Sequence, residues 1–209
     1  MVLKTNKLFY DSGKMVGFIS ANILALFMVY ISAFITGDVN DLVGHPIWLQ
    51  IGAITMSYLL FGFRVFLGVF VGIILSGYFI WYWSGSYLNY LQALAGSLSP
   101  LIAIQSMKIF KLSKFFEGEK LIFEHVIFLA IMSGVINTLL KLFINTTVRN
   151  KVLYPDLPPK QIDVLEFIQS YMYGDIVGGI SFIFIMALFV TPIISFITPK
   201  ILKRGKQLF

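Results

Sequence analysis

Long apolar runs separated by short polar connections fill almost the whole chain. A helix that crosses a bilayer needs roughly 20 apolar residues, and six runs come near that length, at about residues 15–36, 47–61, 65–83, 88–107, 122–144 and 170–196. Only Gly62, Phe63 and Arg64 separate the second run from the third, so we expect those two to form a tight hairpin. The pattern predicts an all-α fold: a single membrane domain over residues 1–209, a polytopic helix bundle of about six transmembrane helices.

The composition supports this prediction and removes several classes of function. Hydrophobic residues make up 58% of the chain and charged residues 12%, whereas about a quarter of the residues in soluble domains are charged. The chain contains no cysteine, which excludes disulfides, thiolate metal sites, cysteine nucleophiles and cysteine-linked lipid anchors. The first apolar run is too long for the core of a signal peptide, so we expect it to remain as a helix.

Basic residues cluster beside the apolar runs and predict the orientation of the chain. With six spans, four basic groups fall on one side: Lys4, Lys7, Lys14; Arg64; Lys108, Lys111, Lys114, Lys120; Lys200, Lys203, Arg204, Lys206. Cytoplasmic loops of membrane proteins are enriched in Lys and Arg, so both termini are predicted to be cytoplasmic and the protein to be a multi-pass protein of the cell (plasma) membrane. The net charge of +6 then faces anionic lipid, and we expect no nucleic-acid partner.

Two segments on the predicted outer side have distinctive compositions. Residues 145–163 contain Pro155, Pro158 and Pro159, and because proline removes a backbone donor and fixes φ, we expect an extended outer loop. Residues 160–173 form either an interfacial amphipathic helix or the outer turns of the last span. The aromatic residues Trp81, Tyr82, Trp83, Tyr87 and Tyr90 are typical of a belt at the membrane interface.

Asp175 is the ionisable residue placed most unusually, since it begins a strongly apolar run. If the last span starts at residue 174, Asp175 lies at the interface near a helix N-terminus, where an acidic side chain is ordinary. If the span starts at residue 165, Asp175 lies roughly 15 Å deep. A charge at that depth is costly and favours a ligand or proton site.

Asn137 and Lys141 lie four residues apart on the predicted fifth helix and therefore share a face. One hypothesis is that this face meets Asp175 in a polar cluster, because each of these side chains would otherwise meet lipid. The alternative is a set of ordinary hydrogen bonds between helices.

Pairs of glycines four residues apart indicate close helix packing rather than a phosphate-binding loop. Gly68 and Gly72 lie on the third predicted span, and Gly174 and Gly178 on the last; small residues at this spacing allow two backbones to approach.

The two histidines, His45 and His125, are predicted to lie on opposite sides of the membrane, so they cannot share a metal ion. No hydrolase or metalloprotease motif accompanies either one. We therefore expect no enzymatic activity, no metal and no cofactor.

Several stretches resemble the first class of MASE domains, the membrane-associated sensory domains of bacterial signalling proteins. The resemblance lies in residues 48–54 with 59–64, 66–72, 95–101 and 173–178. It implies a sensory role, with Trp48, Arg64 and Asp175 among the functional candidates. Members of that family usually feed a cytoplasmic output domain, and none follows here before Phe209. The resemblance therefore implies a separate partner that reads the signal.

Taken together, the residues and the resemblance predict a membrane-embedded sensory or ligand-binding module. It would bind a small molecule, contact the lipid bilayer and signal through a cytoplasmic or membrane partner. The alternative is a component of small-solute transport, such as a substrate-capture subunit of an importer. Asp175, Asn137, Lys141, Arg64 and Trp48 are the candidate ligand-binding or functional residues.

Overall fold

A computed structural model describes residues 2–37, 45–111, 123–153, 156 and 162–205. Every regular element in those ranges is helical, which confirms the predicted all-α class for them. The elements are α1 (Val2–Thr36), α2 (Leu49–Phe61), a 3-10 turn (Phe63–Val65), α3 (Phe66–Phe79), α4 (Tyr87–Ile109), α5 (Phe123–Phe143) with a π-helical continuation (Ile144–Leu153), and α6 (Val164–Gly205).

The short helix α2 is the centre of the bundle. It contacts α1, α4, α5 and α6, while α1, α3, α4, α5 and α6 follow one another around it. Nine of its 13 residues are buried. At a rise of about 1.5 Å per residue α2 is roughly 20 Å long, shorter than the ~30 Å core of a bilayer. A short central helix surrounded by longer ones leaves room for a pocket beside its ends.

Three helical segments are long and apolar enough to cross a membrane: Gly17–Thr36, His125–Lys151 and Val164–Met186. Two shorter apolar helices, Leu49–Phe61 and Phe63–Phe79, accompany them in the described part of the chain. No more than 39% of any long segment is buried inside the protein, and large apolar side chains such as Phe34 and Phe189 point outward. Apolar faces of this extent are typical of proteins that meet lipid.

Close backbone contacts explain the spaced glycines. A Cβ on Gly68 would overlap the backbone of Asn22 on α1, and one on Gly178 would overlap the backbone of Trp48. A Cβ on Gly174 would overlap the carbonyl oxygen of His45, and Trp48 N donates to Gly174 O at 2.9 Å. The glycines thus let α3 approach α1, and let α6 approach the segment that leads into α2.

Asn22 joins α1 to the junction between α2 and α3. Its Nδ2 donates to Arg64 O at 2.9 Å, and its Oδ1 accepts from Gly68 N at 2.8 Å. These bonds satisfy backbone groups that the break between the two helices leaves open. The expected tight hairpin is present only in its short connection, from Phe61 to Phe66: α2 and α3 contact each other little, and α3 packs most closely on α1.

The end of α3 and the stretch after α5 differ from the sequence-based expectation. Helix α3 ends at Phe79, four residues before the predicted end of its run, because the chain turns through Tyr82 and Gly85, both with positive φ. Residues 145–153, expected in an extended loop, are helical, since residues 145–154 contain no proline. The proline-rich core of that loop lies outside the described residues, apart from Asp156 in a turn.

Helix α6 is continuous from Val164, so residues 164–173 are the first turns of the last helix. The side chain of Asp163 begins it, accepting from Leu165 N at 2.9 Å and from Glu166 N at 3.0 Å. An aspartate that accepts from these amides is a favourable helix N-cap.

Candidate ligand pocket between α2, α4, α5 and α6

A pocket opens where the N-terminal end of α2 meets α4, α5 and α6. It contains about 620 Å³ of space between protein atoms, counted out to its mouth, and the centre of a water molecule can reach about 40 Å³ of that space. A buried water needs only about 10–15 Å³ by the same measure. The pocket is lined by the turn before α2, by helices α2 to α6 and by the turn after α3. Most helices of the bundle therefore contribute to its wall.

Asp175 lies on the wall of this pocket and is 2% exposed. It follows Val164 by eleven residues on α6, about 17 Å along the helix. Asn137 Nδ2 donates to Asp175 Oδ2 at 2.7 Å, and Ser99 Oγ donates to Asn137 Oδ1 at 3.4 Å. This chain of hydrogen bonds links α6 to α5 and α5 to α4.

Lys141 lies one turn beyond Asn137 on the same face of α5. Its ammonium lies 5.3 Å from the ring centre of Trp48 and 5.1 Å from that of Tyr171, within the range of cation–π attraction. Lys141 and Asp175 line the same pocket, so their side chains can form a pair of opposite charges. The structure thus brings together Asn137, Lys141 and Asp175, as the polar-cluster hypothesis requires, and adds two aromatic rings to them.

All three tryptophans of the protein line the pocket. The ring centres of Trp48 and Trp81 are 5.1 Å apart, and those of Trp81 and Trp83 are 5.7 Å apart. Trp81 Nε1 donates to Gly37 O at 3.0 Å. The expected interfacial belt is therefore divided: Trp81 and Trp83 pack inward, whereas Tyr82 and Tyr87 are exposed.

Two buried amides complete the polar lining and were not among the sequence-based candidates. Gln50 Nε2 donates to Ser76 Oγ at 3.4 Å, which joins α2 to α3. Gln92 Nε2 donates to Asn145 Oδ1 at 3.2 Å, which joins α4 to the π-helical end of α5. The sequence feature that could have identified them is an amide side chain inside an apolar run, because a buried amide needs a hydrogen-bond partner from another helix.

The remaining candidates lie in different places. Trp48 is in the pocket, but Arg64 is exposed beyond the opposite end of α2, about 20 Å away by helix length. Gly174 and Gly178 are on the pocket helix α6 and set its distance from Trp48, while Gly68 and Gly72 serve the contact between α3 and α1.

The histidines remain apart. His45 lines the pocket, with its Nδ1 2.9 Å from Ile47 O and 3.1 Å from Ile47 N. His125 is on α5, outside the pocket lining. Within the described ranges no three His, Asp or Glu side chains are grouped so that they could hold a metal ion.

The pocket offers an acid, an amine, three primary amides and several aromatic faces. Such a lining recognises a small molecule by a few placed polar groups and by contact with flat apolar surfaces. No protein-family model, curated protein or solved structure matches the chain.

Proposed function

We propose that the protein is a multi-pass module of the cell membrane that binds a small molecule in this pocket and passes the signal to a separate partner. The observation that carries the proposal is the burial of Asp175 beside Lys141 in a pocket lined by all the tryptophans. Ionisable side chains inside membrane helices are costly, so they usually serve a ligand, an ion or a proton. In the proposed topology the chain crosses the membrane about six times, with both termini in the cytoplasm.

The arrangement of α6 supports a signalling role. This helix carries Asp175 in the pocket and continues without interruption to Gly205, about 45 Å farther along its axis. In the proposed topology its last turns reach the cytoplasmic side. A ligand that alters the contact between Asp175 and Asn137 would shift α6 relative to α5, and a partner at the far end of α6 would sense that shift.

The resemblance to MASE sensory domains supports the same role. Two of the stretches that carry it, around Trp48 and around residues 173–178, meet in the pocket through the bond from Trp48 N to Gly174 O. On this proposal the partner is a cytoplasmic or membrane signalling protein.

The test is to purify the tagged protein in mild detergent and identify both bound small molecules and co-purifying proteins by mass spectrometry. We expect a small molecule that is retained by the wild type and lost from Asp175→Asn, together with a signalling enzyme. The matched control is Glu166→Gln, an equal change of charge at an exposed position of the same helix, which should retain the molecule. Equal retention by Asp175→Asn, or no retained molecule in the wild type, contradicts the proposal.

A transport component is the second candidate, favoured by the pocket's position between four helices within the apolar bundle. A co-purifying ATPase in the same experiment, with uptake of the bound solute into proteoliposomes, would decide for transport. Binding without uptake would decide for the sensory role.

A further inference from the structure

The pairing of Lys141 with Asp175 in an aromatic pocket limits the charge of the molecule that fits. We propose that the ligand is a small zwitterion carrying both an amine cation and a carboxylate. This inference rests on the proposed function, because it names the class of ligand for the same pocket.

The charged side chains of the pocket lining favour a ligand without a net charge. Among the described residues, the pocket lining has one basic side chain, Lys141, and one acidic side chain, Asp175, besides His45. When Lys141 and Asp175 are both ionised, their charges cancel. Inside a poorly solvated bundle an uncompensated charge is expensive. A ligand with a single charge would leave such a charge behind, whereas a zwitterion keeps the total at zero.

The second step is that the pocket already holds a cation on aromatic faces. The Lys141 ammonium lies 5.3 Å from the Trp48 ring centre and 5.1 Å from the Tyr171 ring centre, and Lys141 lines the same pocket as Asp175. The amine of a ligand can occupy this position, since aromatic faces beside a carboxylate bind ammonium groups well. The internal attraction between Lys141 and Asp175 is then replaced by one between Asp175 and the ligand amine.

The third step concerns the carboxylate of the ligand. Lys141 has a flexible four-carbon side chain, so its ammonium can turn from the rings toward a carboxylate in the pocket. Gln50 and Gln92 also line the pocket. Each amide nitrogen carries two hydrogens, and the bonds to Ser76 and Asn145 use one of each. Together these groups can receive a carboxylate without burying an unpaired charge.

The three tryptophans supply a direct readout of binding. Since Trp48, Trp81 and Trp83 are the only tryptophans and all line the pocket, their fluorescence reports this site. The full chain would be placed in lipid nanodiscs and titrated with glycine betaine and with the amino acids that have uncharged side chains, leaving out the fluorescent tryptophan and tyrosine. Choline and isovalerate would serve as ligands with a single charge.

We expect a saturable change in tryptophan emission with at least one zwitterion, and binding at least about tenfold weaker for choline and for isovalerate. Comparing the binding of glycine betaine with that of the primary amines then shows whether a quaternary or a primary ammonium group fits the pocket. Equal or tighter binding of a singly charged compound overturns the proposal, and so does the absence of any response to the zwitterions.

Substitutions that remove one charge from the pocket test the mechanism, because each should change which ligand charge the pocket prefers. Lys141→Met leaves Asp175 without its cation, so choline should gain at least about tenfold relative to the zwitterion. Asp175→Asn should move the preference to isovalerate by the same reasoning. Lys151→Met and Glu166→Gln make the matched charge changes at exposed positions and should leave the preference unchanged. Variants that lose all binding equally, while remaining monodisperse, contradict the exchange of charges.

The outcomes separate this inference from the proposed function. If a neutral or singly charged molecule is retained on purification and changes tryptophan emission, the pocket binds a ligand and the zwitterion proposal alone is wrong. If the purified protein retains no small molecule and no compound changes the emission, both proposals are wrong.

Discussion

Asn137 on α5 donates a 2.7 Å hydrogen bond to the carboxylate of Asp175 on α6. The two residues are 38 positions apart in the chain, and both side chains are almost fully buried. A carboxylate at this depth depends on such donors, because the surrounding helices exclude the water that would otherwise solvate it. The bond therefore holds the pocket wall together as well as linking two long helices.

Asn137→Ala should destabilise the protein by about 1–2 kcal/mol, because it removes a donor from a buried carboxylate. Ser133→Ala is the matched control one turn earlier on α5: the Ser133 hydroxyl is buried and has no hydrogen-bond partner among the described residues. That control should be neutral or slightly stabilising. Thermal unfolding in detergent measures both, and equal effects of the two variants would contradict the structural role given to Asn137.

Asp175 is buried and Lys141 is half-buried, so we expect their charges to be coupled, with a smaller loss than in a fully buried pair. Removing one partner of a buried pair typically costs about 3–5 kcal/mol, while replacing both by uncharged groups of similar volume is often neutral. We therefore expect Lys141→Met and Asp175→Asn to be destabilising singly and the double variant to be closer to the wild type than either. Measuring the unfolding of the wild type, the two single variants and the double variant completes the double-mutant cycle. Additive losses would show that Lys141 and Asp175 do not interact.

Gly174→Ala should be among the most damaging small substitutions in the protein. Its Cβ would overlap the carbonyl oxygen of His45, so α6 would have to move away from Trp48, with an expected loss above about 2 kcal/mol. Gly17→Ala makes the same change on α1, where no atom of the described part of the chain lies within 4 Å of the added Cβ, and should be neutral or slightly stabilising. Yield of monodisperse protein and its unfolding temperature distinguish the two.

The proposed topology can be tested by single cysteines, since the natural chain contains none. Ser84 and Arg64 are both exposed, in the turns after and before α3. With six spans and cytoplasmic termini, a membrane-impermeant maleimide should label Ser84→Cys in intact cells and Arg64→Cys only after permeabilisation. The reverse pattern would invert the orientation, and labelling of both in intact cells would exclude a spanning α3.

The sequence by itself determined most of the helical elements. The predicted runs at 47–61 and 88–107 lie within a few residues of α2 and α4, and the first run ends with α1 at Thr36. Apolar length and chain breakers are local properties, so they can be recognised without knowing the fold. For the same reason Asn137, Lys141 and Asp175 could be selected as polar groups in apolar surroundings, with a shared helical face for the first two.

Only the tertiary structure decided which side chains meet. In the sequence, Trp81 and Trp83 look like members of an interfacial belt. They line the pocket because the chain reverses after α3 through Tyr82 and Gly85. Gln50 and Gln92 gained their roles from partners on other helices. Such contacts depend on how the helices pack, and the hydropathy of the sequence does not specify that packing.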